Sequence, residues 1–309
     1  MPDIKATKLS YDELFNSTTM FYMNPDYEAE IGKVVEAKTA DISVGLRTIK
    51  DKESLKQYII DHKDALDNLT SIAEISVERF KRMVSMIRKD RGFVFGTEWG
   101  LSKIRTAMMD SPAMMESILN LLWDGRNDEK MQSCIPAFYL ENMAMDPVTL
   151  SMLQDENTVR RLVKRGLEGK YSNGIGDAVL SDIEKELKRV CAKHGLEFQN
   201  NVRVPLLDRA VSFVLESPTN PRVIIDVSYS VTTSSSQGSK KEAARKTVEV
   251  LNSEKASGRN IVYINFLDGA GWIGRQSDMK EIHRCSDYVL NFQNIGLLED
   301  IIDTHIDEI

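Results

Sequence analysis

Two runs rich in β-branched and aromatic residues lie close together in the second half of the chain and constrain the fold more than any other feature. The runs are Arg209–Glu216 and Arg222–Val231, and the segment between them, SPTNP, holds two prolines and an asparagine. These residues favour tight turns, and strands joined by a short turn pair in antiparallel fashion. The sequence therefore predicts a β-hairpin. With a turn centred near Thr219, the hairpin places Ser212 directly opposite Asp226.

The segments around the hairpin predict an α/β core. We expect one helix from about Asp177, its candidate N-cap, to about His194, and a second from about Lys240 to Glu254. A buried strand (RNIVYINFL), a short helix, a short strand (DYVLNF) and a helix from about Gly296 complete the order. This order is typical of a mixed β-sheet flanked by helices.

The first half of the sequence indicates helices only. Apolar residues recur at three- and four-residue spacing in SLKQYIIDHKDALDNLTSIAEI and VERFKRMVSMIRK, which is the period of a helix with one buried stripe. In SPAMMESILNLLWDG, Ser111 is a candidate N-cap, Pro112 suits the first helical position and Gly125 marks the end. We therefore predict two domains, a helical region over residues 1–168 and an α/β domain over residues 169–309.

The charge of the chain is unevenly distributed. The net charge is −7, yet residues 157–260 contain 18 Lys and Arg against 12 Asp and Glu, a balance of +6 that leaves −13 for the rest. An electropositive region within an acidic protein is the pattern that phosphate binding requires.

The remaining composition narrows the class of protein. The opening MPDIKATKLSYDELF is polar, and apolar runs such as SILNLLW are far shorter than the roughly 20 residues that span a membrane. The three cysteines are scattered, without ligand spacing, which predicts reduced thiols. We expect a cytoplasmic protein with no membrane partner and no organic cofactor.

Four segments, in the right order, resemble the DpnII/MboI branch of type II restriction endonucleases, in the PD-(D/E)xK nuclease superfamily. NGIGDAVLSDI is similar to the family's GDA helix start, and VSFVLE with VIIDVSY is similar to its hairpin. SQGSKKEAARK resembles its GSK segment and helix, and YINFLDGAGW resembles its strand and turn. The resemblance covers about Gly174 to Leu298 and implies a restriction-endonuclease-like α/β fold.

The resemblance also implies an activity, the Mg²⁺-dependent hydrolysis of phosphodiester bonds in double-stranded DNA at a short specific site. In such enzymes, acids on neighbouring strands bind a hard cation through oxygen ligands. The metal lowers the pKa of a bound water and stabilises charge on the phosphate. Because palindromic sites are generally met by two-fold symmetry, we expect a homodimer.

The acids of the family are only partly present. Asp226 fills one of the two metal-binding positions of the hairpin, whereas Ser212 occupies the other. Ser228 stands where the family has an Asn that helps to place the attacking water, and Leu180 stands where relatives carry a Glu after GDA. Glu184, one helical turn beyond Leu180, is the candidate replacement. The resemblance thus implies Asp226, Ser228, Glu184 and Ser212 as catalytic residues, with Asp226 and Glu184 as metal ligands.

Structural roles remain open for these acids. Glu184 can be a solvated helix residue paired with Lys188, and Asp226 can be structural. Glu216 lies on the same strand face as Ser212, but four residues along it is roughly 13 Å away, too far to share an ion with Asp226.

The polar segment TTSSSQGS and the helix after it predict the DNA contacts. Hydroxyl and amide side chains donate to phosphates or read base edges, and a glutamine can bond adenine in the major groove. The alternative is a flexible surface loop and a solvated helix face. The predicted DNA-binding residues are Thr233, Ser234, Ser235, Ser236, Gln237, Lys240, Lys241 and Arg245.

Three functions therefore stay open at this point. The first is a working endonuclease with a rearranged set of acids. The second is a DNA-binding protein with the nuclease fold that does not cleave, either an inactive relative or the inactive partner of an active subunit. The third is an interaction module whose helical half binds protein and whose α/β half is a scaffold.

Overall fold

A computed structural model describes residues 6–92 and 96–305 of the chain. Of these described residues, those up to 24 group with those from 174 onward in one compact unit, and those between 25 and 173 form a second. We call them the sheet unit and the helical unit. The predicted boundary between residues 168 and 169 lies shortly before this division, and the sequence does not predict that the first 24 residues belong with the α/β part.

The described residues of the helical unit contain no strand, as the sequence predicts. Their buried side chains form a core that extends from Val35 to Val163. None of the described helices is long and apolar enough to cross a membrane. After α1 (Tyr11–Asn16) of the sheet unit, the helices are α2 (Pro25–Thr48), α3 (Lys52–Asp61), α4 (Ala65–Ile72), α5 (Val77–Asp90), α6 (Leu101–Asp110), α7 (Pro112–Asp124), α8 (Glu129–Gln132), α9 (Ala137–Leu140), α10 (Pro147–Met152) and α11 (Glu156–Gly166).

Local signals place the ends of α7 correctly. The side chain of Ser111 accepts a hydrogen bond from the backbone nitrogen of Met114 at 3.3 Å, Pro112 opens the helix and Gly125 is its C-cap. The segment SLKQYIIDHKDALDNLTSIAEI, whose apolar residues recur with a helical period, forms two helices, α3 and α4. A short break after Asp61 separates them.

The sheet unit contains a mixed β-sheet of five strands, in the order β1-β2-β3-β4-β5. The first three strands pair in antiparallel fashion, and β3, β4 and β5 pair in parallel. This confirms the predicted α/β fold with a mixed sheet. The strands are β1 (Phe198–Val204), β2 (Arg209–Ser217), β3 (Asn220–Tyr229), β4 (Val262–Asp268) and β5 (Tyr288–Leu290).

Helices cover both faces of the sheet. On one face, Val223 and Ile225 of β3 pack in a core with the apolar stripe of α12 and with α16. On the other face, Ile224 packs with α1, α13 and α15. Successive strand residues point to opposite faces, so one continuous apolar run supplies both cores. These helices are α12 (Glu168–His194), α13 (Ser235–Ala256), α14 (Ala270–Ile273), α15 (Gln276–Cys285) and α16 (Leu297–His305).

The hairpin register agrees with the prediction made from the turn. Phe213 pairs with Ile225, and the same register continued by one residue would place Ser212 opposite Asp226, where no backbone pair is recorded. The ladder shifts by one residue next to Glu216, whose φ of 74° lies in the left-handed region. The predicted hairpin is therefore present.

Helices α12 and α13 begin earlier than the sequence predicts, and strand β1 was not predicted. Helix α12 starts at Glu168, so Asp177 lies inside it and does not cap it. Helix α13 starts at Ser235, so the polar loop before it is shorter than expected. Strand β1 pairs along β2 from Phe198 to Val204.

Candidate functional site

A concave pocket opens where β2 separates from β3, and we call it the hairpin pocket. It has a volume of about 400 Å³ and is bounded by α12, β1, β2, β3 and the second turn of α13. It brings together several side chains that the sequence singled out. The lining residues are Leu180, Glu184, Asn200, Asn201, Arg209, Ala210, Val211, Ser212, Phe213, Asp226 and Lys240.

The carboxylate of Asp226, which lines this pocket, is held by two partners. The guanidinium of Arg209 donates to both of its oxygens, from Nη1 to Oδ1 at 3.0 Å and from Nη2 to Oδ2 at 2.5 Å. The hydroxyl of Tyr263 on β4 donates to Oδ2 at 2.7 Å. Only 12% of the Asp226 side chain is exposed. Both carboxylate oxygens are therefore engaged by protein donors.

Arg209 is fixed by further hydrogen bonds. Its Nη1 donates to the carbonyl of Ala210 at 3.1 Å, and its Nη2 donates to Oγ1 of Thr247 on α13 at 2.7 Å. Burial, the largest influence, lowers the pKa of Arg209, but hydrogen bonding and the charge of Asp226 raise it above its ordinary value overall. The guanidinium thus stays charged and acts as an internal counter-ion for Asp226.

The phenol of Tyr263 stays protonated for a related reason. Burial first, and then the charge and hydrogen bond of Asp226, raise the pKa of Tyr263 above its ordinary value. A protonated phenol donates to the carboxylate, whereas a phenolate would repel it. Tyr263 and Arg209 together satisfy the buried acid.

Ser212, which also lines the pocket, has a structural contact. Its Oγ accepts a hydrogen bond from the backbone nitrogen of Val227 at 3.0 Å. The regular alternation of β2 breaks here, because Val211 packs on the α13 face while Phe213 packs on the α12 face. The Ser212 hydroxyl therefore bonds a strand N–H beyond the last recorded backbone pair of the hairpin, Phe213 with Ile225.

Glu184 reaches the pocket from α12, but it already has partners there. It forms an ion pair with Lys188 at 2.7 Å and accepts a hydrogen bond from Nδ2 of Asn200 at 3.2 Å. The hydrogen bond from Lys188, the largest influence, lowers the pKa of Glu184. The pairing with Lys188 that the sequence left open is therefore present, and Leu180, the neighbouring position, is partly exposed.

Ser228 lies further along β3 and is not one of the described residues that line the hairpin pocket. Its carbonyl accepts a hydrogen bond from Nε1 of Trp272 at 2.9 Å, and the residue is half-buried. Its predicted role in placing a water stays a prediction that this geometry does not support.

The predicted DNA-contacting segment is mostly a helix start. Ser234 is the N-cap of α13, and its side chain and that of Gln237 form a capping box. Gln237 is completely buried, and its Nε2 donates to Oγ of Ser230 at 3.1 Å and to the carbonyl of Thr232 at 2.9 Å. Its amide therefore holds the turn and does not face a base edge. Thr233, Ser235 and Ser236 are exposed.

The three predicted cations on α13 have different surroundings. Lys240 is exposed, lines the hairpin pocket and has no ion pair with any described residue. Lys241 forms an ion pair with the buried Asp278 at 2.8 Å. Arg245 pairs with Glu242 at 3.0 Å. Of these three, Lys240 has the charge that is free for a phosphate.

The donor set of the pocket does not fit the expected Mg²⁺. Mg²⁺ requires near-octahedral oxygen coordination and usually at least one free carboxylate. Within residues 6–92 and 96–305, no group of three or more His, Cys, Asp or Glu side chains is placed to hold an ion. Asp226 is bonded to Arg209, and Glu184 is bonded to Lys188.

The comparison with known families supports the sequence resemblance in its broader form. Residues 156–304 match the family model of the BanI C-terminal domain, which is a restriction enzyme family. The matched segment, just under half of the chain, includes every strand of the sheet and every residue of the hairpin pocket. The DpnII/MboI branch stays a prediction, and no curated protein matches the chain.

Sequence reasoning missed Arg209 and Tyr263, which determine the chemistry of the pocket. Arg209 is three residues from Ser212, so regular alternation would place the two side chains on opposite faces. The break in alternation at Ser212 removes that signal. By contrast, the capping role of Gln237 was readable, because Ser234 and Gln237 form the S-x-x-Q pattern of a capping box.

Proposed function

We propose that the sheet unit binds double-stranded DNA at a short specific site, as a restriction-endonuclease-like domain. The observation that carries this proposal is the hairpin pocket, which lies wholly within the segment that matches the BanI C-terminal domain. The DNA-facing surface would comprise this pocket, with Lys240 at its edge, and the exposed hydroxyls at the start of α13.

Electrostatics support this surface. The excess of positive charge in the chain falls between residues 157 and 260, which include most of the pocket-lining elements. Lys240 and the N-terminal turn of α13, with the exposed Ser235 and Ser236, offer a cation and hydroxyl donors to a phosphate. We expect the affinity for duplex DNA to fall as the salt concentration rises.

The match to a restriction enzyme family favours cleavage as a second candidate function. The chain would then be a type II endonuclease that hydrolyses DNA with Mg²⁺, in which Asp226 and Glu184 are the available carboxylates. In the present geometry both acids are paired with cations, and Ser212 supplies no charge. The geometry therefore favours binding without cleavage, as an inactive relative or an inactive partner subunit.

The finer assignments are part of the same proposal. Placement in the DpnII/MboI branch rests on the four sequence segments described above. A homodimer rests on the two-fold symmetry of the short palindromes that such proteins recognise. Size-exclusion chromatography with light scattering measures this oligomeric state directly.

One pair of assays tests the proposed function. Gel shifts with a pool of random duplexes in EDTA measure binding, and plasmid digestion in Mg²⁺ and in Mn²⁺ measures cleavage. Binding without cleavage is the expected result. Cleavage in either metal would establish the endonuclease, and neither binding nor cleavage would favour the protein-interaction module.

A further inference from the structure

We propose that the guanidinium of Arg209 takes the place of a divalent cation in the hairpin pocket, so that the pocket is charge-compensated without metal. This inference deepens the proposed function. It is tested on the free protein, so it can fail separately from DNA binding.

The geometry of the ion pair carries the proposal. Arg209 contacts both oxygens of Asp226, at 3.0 and 2.5 Å, in the bidentate arrangement that planar guanidinium groups form with carboxylates. Thr247 and the carbonyl of Ala210 fix the same guanidinium from other directions. The positive charge is therefore held in place by the fold.

Two other positions of the pocket lack the acids that the family resemblance leads one to expect, and this supports the same inference. Ser212 lines the same pocket as Asp226 without supplying a carboxylate, and its hydroxyl accepts a hydrogen bond from the backbone of Val227. Leu180 lines the pocket with an apolar side chain. Asp226 and Arg209 together have no net charge, so no further cation is needed to bring a DNA phosphate close to this acid.

A metal ion would have to displace a largely covered ion pair in which both oxygens of Asp226 are bonded. Asp226 would lose its hydrogen bonds to Arg209 and Tyr263. The guanidinium would then have no counter-ion, although only 25% of the Arg209 side chain is exposed. Leaving one partner of a buried ion pair uncompensated is strongly unfavourable. We therefore expect divalent cations to be excluded.

The first experiment measures Mn²⁺ binding to the full chain without DNA, by electron paramagnetic resonance and by calorimetry. The expected result is no saturable site, and the same weak background for the parent and for Asp226→Asn. A stoichiometric Mn²⁺ site in the parent that disappears in Asp226→Asn would overturn the inference.

The second experiment builds the missing carboxylates. In the triple variant Arg209→Met, Ser212→Asp and Leu180→Glu, the guanidinium is removed and two acids join Asp226. We expect a stoichiometric Mn²⁺ site and a melting temperature that rises with Mn²⁺, whereas Ser212→Asp with Leu180→Glu alone gains neither. A triple variant that is folded by circular dichroism but binds no Mn²⁺ would show that Arg209 is not what excludes the cation.

These results stay separate from DNA binding. If gel shifts in EDTA show no DNA binding while Mn²⁺ is also excluded, the proposed function fails and the assignment of Arg209 stands. If DNA binds in EDTA but the parent has a saturable Mn²⁺ site at Asp226, the proposed DNA binding stands and the assignment of Arg209 fails.

Discussion

On the face of the sheet that packs against α12 and α16, the central strands present aliphatic and phenyl side chains, with the phenol of Tyr229 at the end of β3. The opposite face includes a carboxylate, a phenol and an amide in the middle of the sheet. The first set is Phe213, Leu215, Val223, Ile225, Val227, Val262, Ile264 and Phe266. The second face contains Asp226, Tyr263 and Asn265 among its apolar residues. Since burying polar groups is costly unless each is bonded, the polar cluster marks the part of the sheet whose sequence is not explained by folding alone.

The largest expected effect lies on the apolar face. Phe213→Ala removes a fully buried ring between β2 and the helices, and we expect a loss of about 3 to 5 kcal/mol in the free energy of unfolding. Urea denaturation followed by circular dichroism measures it. Arg203→Ala, at an exposed side chain of β1, serves as the control and should change stability by no more than about 0.5 kcal/mol. Equal losses at both positions would contradict the assigned core.

The second prediction concerns the ion pair of Arg209 and Asp226 on the other face of the sheet. There, the loss of a counter-ion should determine the change in stability, and not the loss of side-chain volume alone. Arg209→Met leaves Asp226 buried without a counter-ion, and we expect a loss of about 3 kcal/mol at neutral pH. Arg209→Met combined with Asp226→Leu should recover much of that loss, because no uncompensated charge remains. The same urea titrations check both variants. Additive losses in the double variant would mean that the two residues are not coupled.

Much of the fold was predictable from local pattern, and the site was predictable only in part. The hairpin and its register followed from the turn composition and from the alternation of strand side chains, and α7 followed from Ser111, Pro112 and Gly125. These features depend on residues close together in the sequence. Strand β1 was not predicted, because Gln199, Asn200 and other polar residues hide its period.

The chemistry of the pocket depends on contacts between residues distant in sequence. Asp226, Ser212 and Glu184 line one pocket, and the pairing of Glu184 with Lys188 was considered from the sequence, but the partners of Asp226 and Ser212 were not foreseen. Arg209 reaches Asp226 because β2 changes its facing at Ser212, and Tyr263 reaches it from the neighbouring parallel strand. The order of β3, α13 and β4 was predicted from the sequence, but the irregularity in β2 that turns Arg209 toward Asp226 has no signature in the sequence.

The next prediction, with a smaller expected effect, concerns the different contributions of Lys240 and Lys241 on α13 to DNA binding. Lys240→Ala should weaken duplex binding by about 3- to 10-fold and reduce the slope of log affinity against log salt by about 1, because one phosphate contact is lost. Lys241→Ala is the matched control, since Lys241 is already paired with Asp278, and it should leave the slope unchanged. Fluorescence anisotropy across a salt series measures both. Equal effects of the two variants would place the DNA elsewhere on the helix.

The smallest expected effect concerns Gln237, which the sequence proposed as a base-reading residue. Its buried amide bonds the turn around Ser230 and Thr232 and closes the capping box with Ser234. Gln237→Ala should therefore cost about 1 kcal/mol of stability, as the loss of a helix cap does. It should not alter which duplexes are preferred, because a side chain with no exposed surface cannot reach a base edge.

Ser236→Ala, in the same turn but exposed, is the control for this last prediction. It should leave stability nearly unchanged, because the cap itself is formed by Ser234. Thermal unfolding gives the first readout, and selection of bound duplexes from a random pool gives the second. If Gln237→Ala changes the selected sequence while its melting temperature matches that of the parent, the amide leaves the turn to contact DNA. The start of α13 would then differ from the buried cap described above. If Gln237→Ala lowers the melting temperature but selects the same duplexes, the role of Gln237 is structural. The DNA contacts at the start of α13 would then come from its exposed residues.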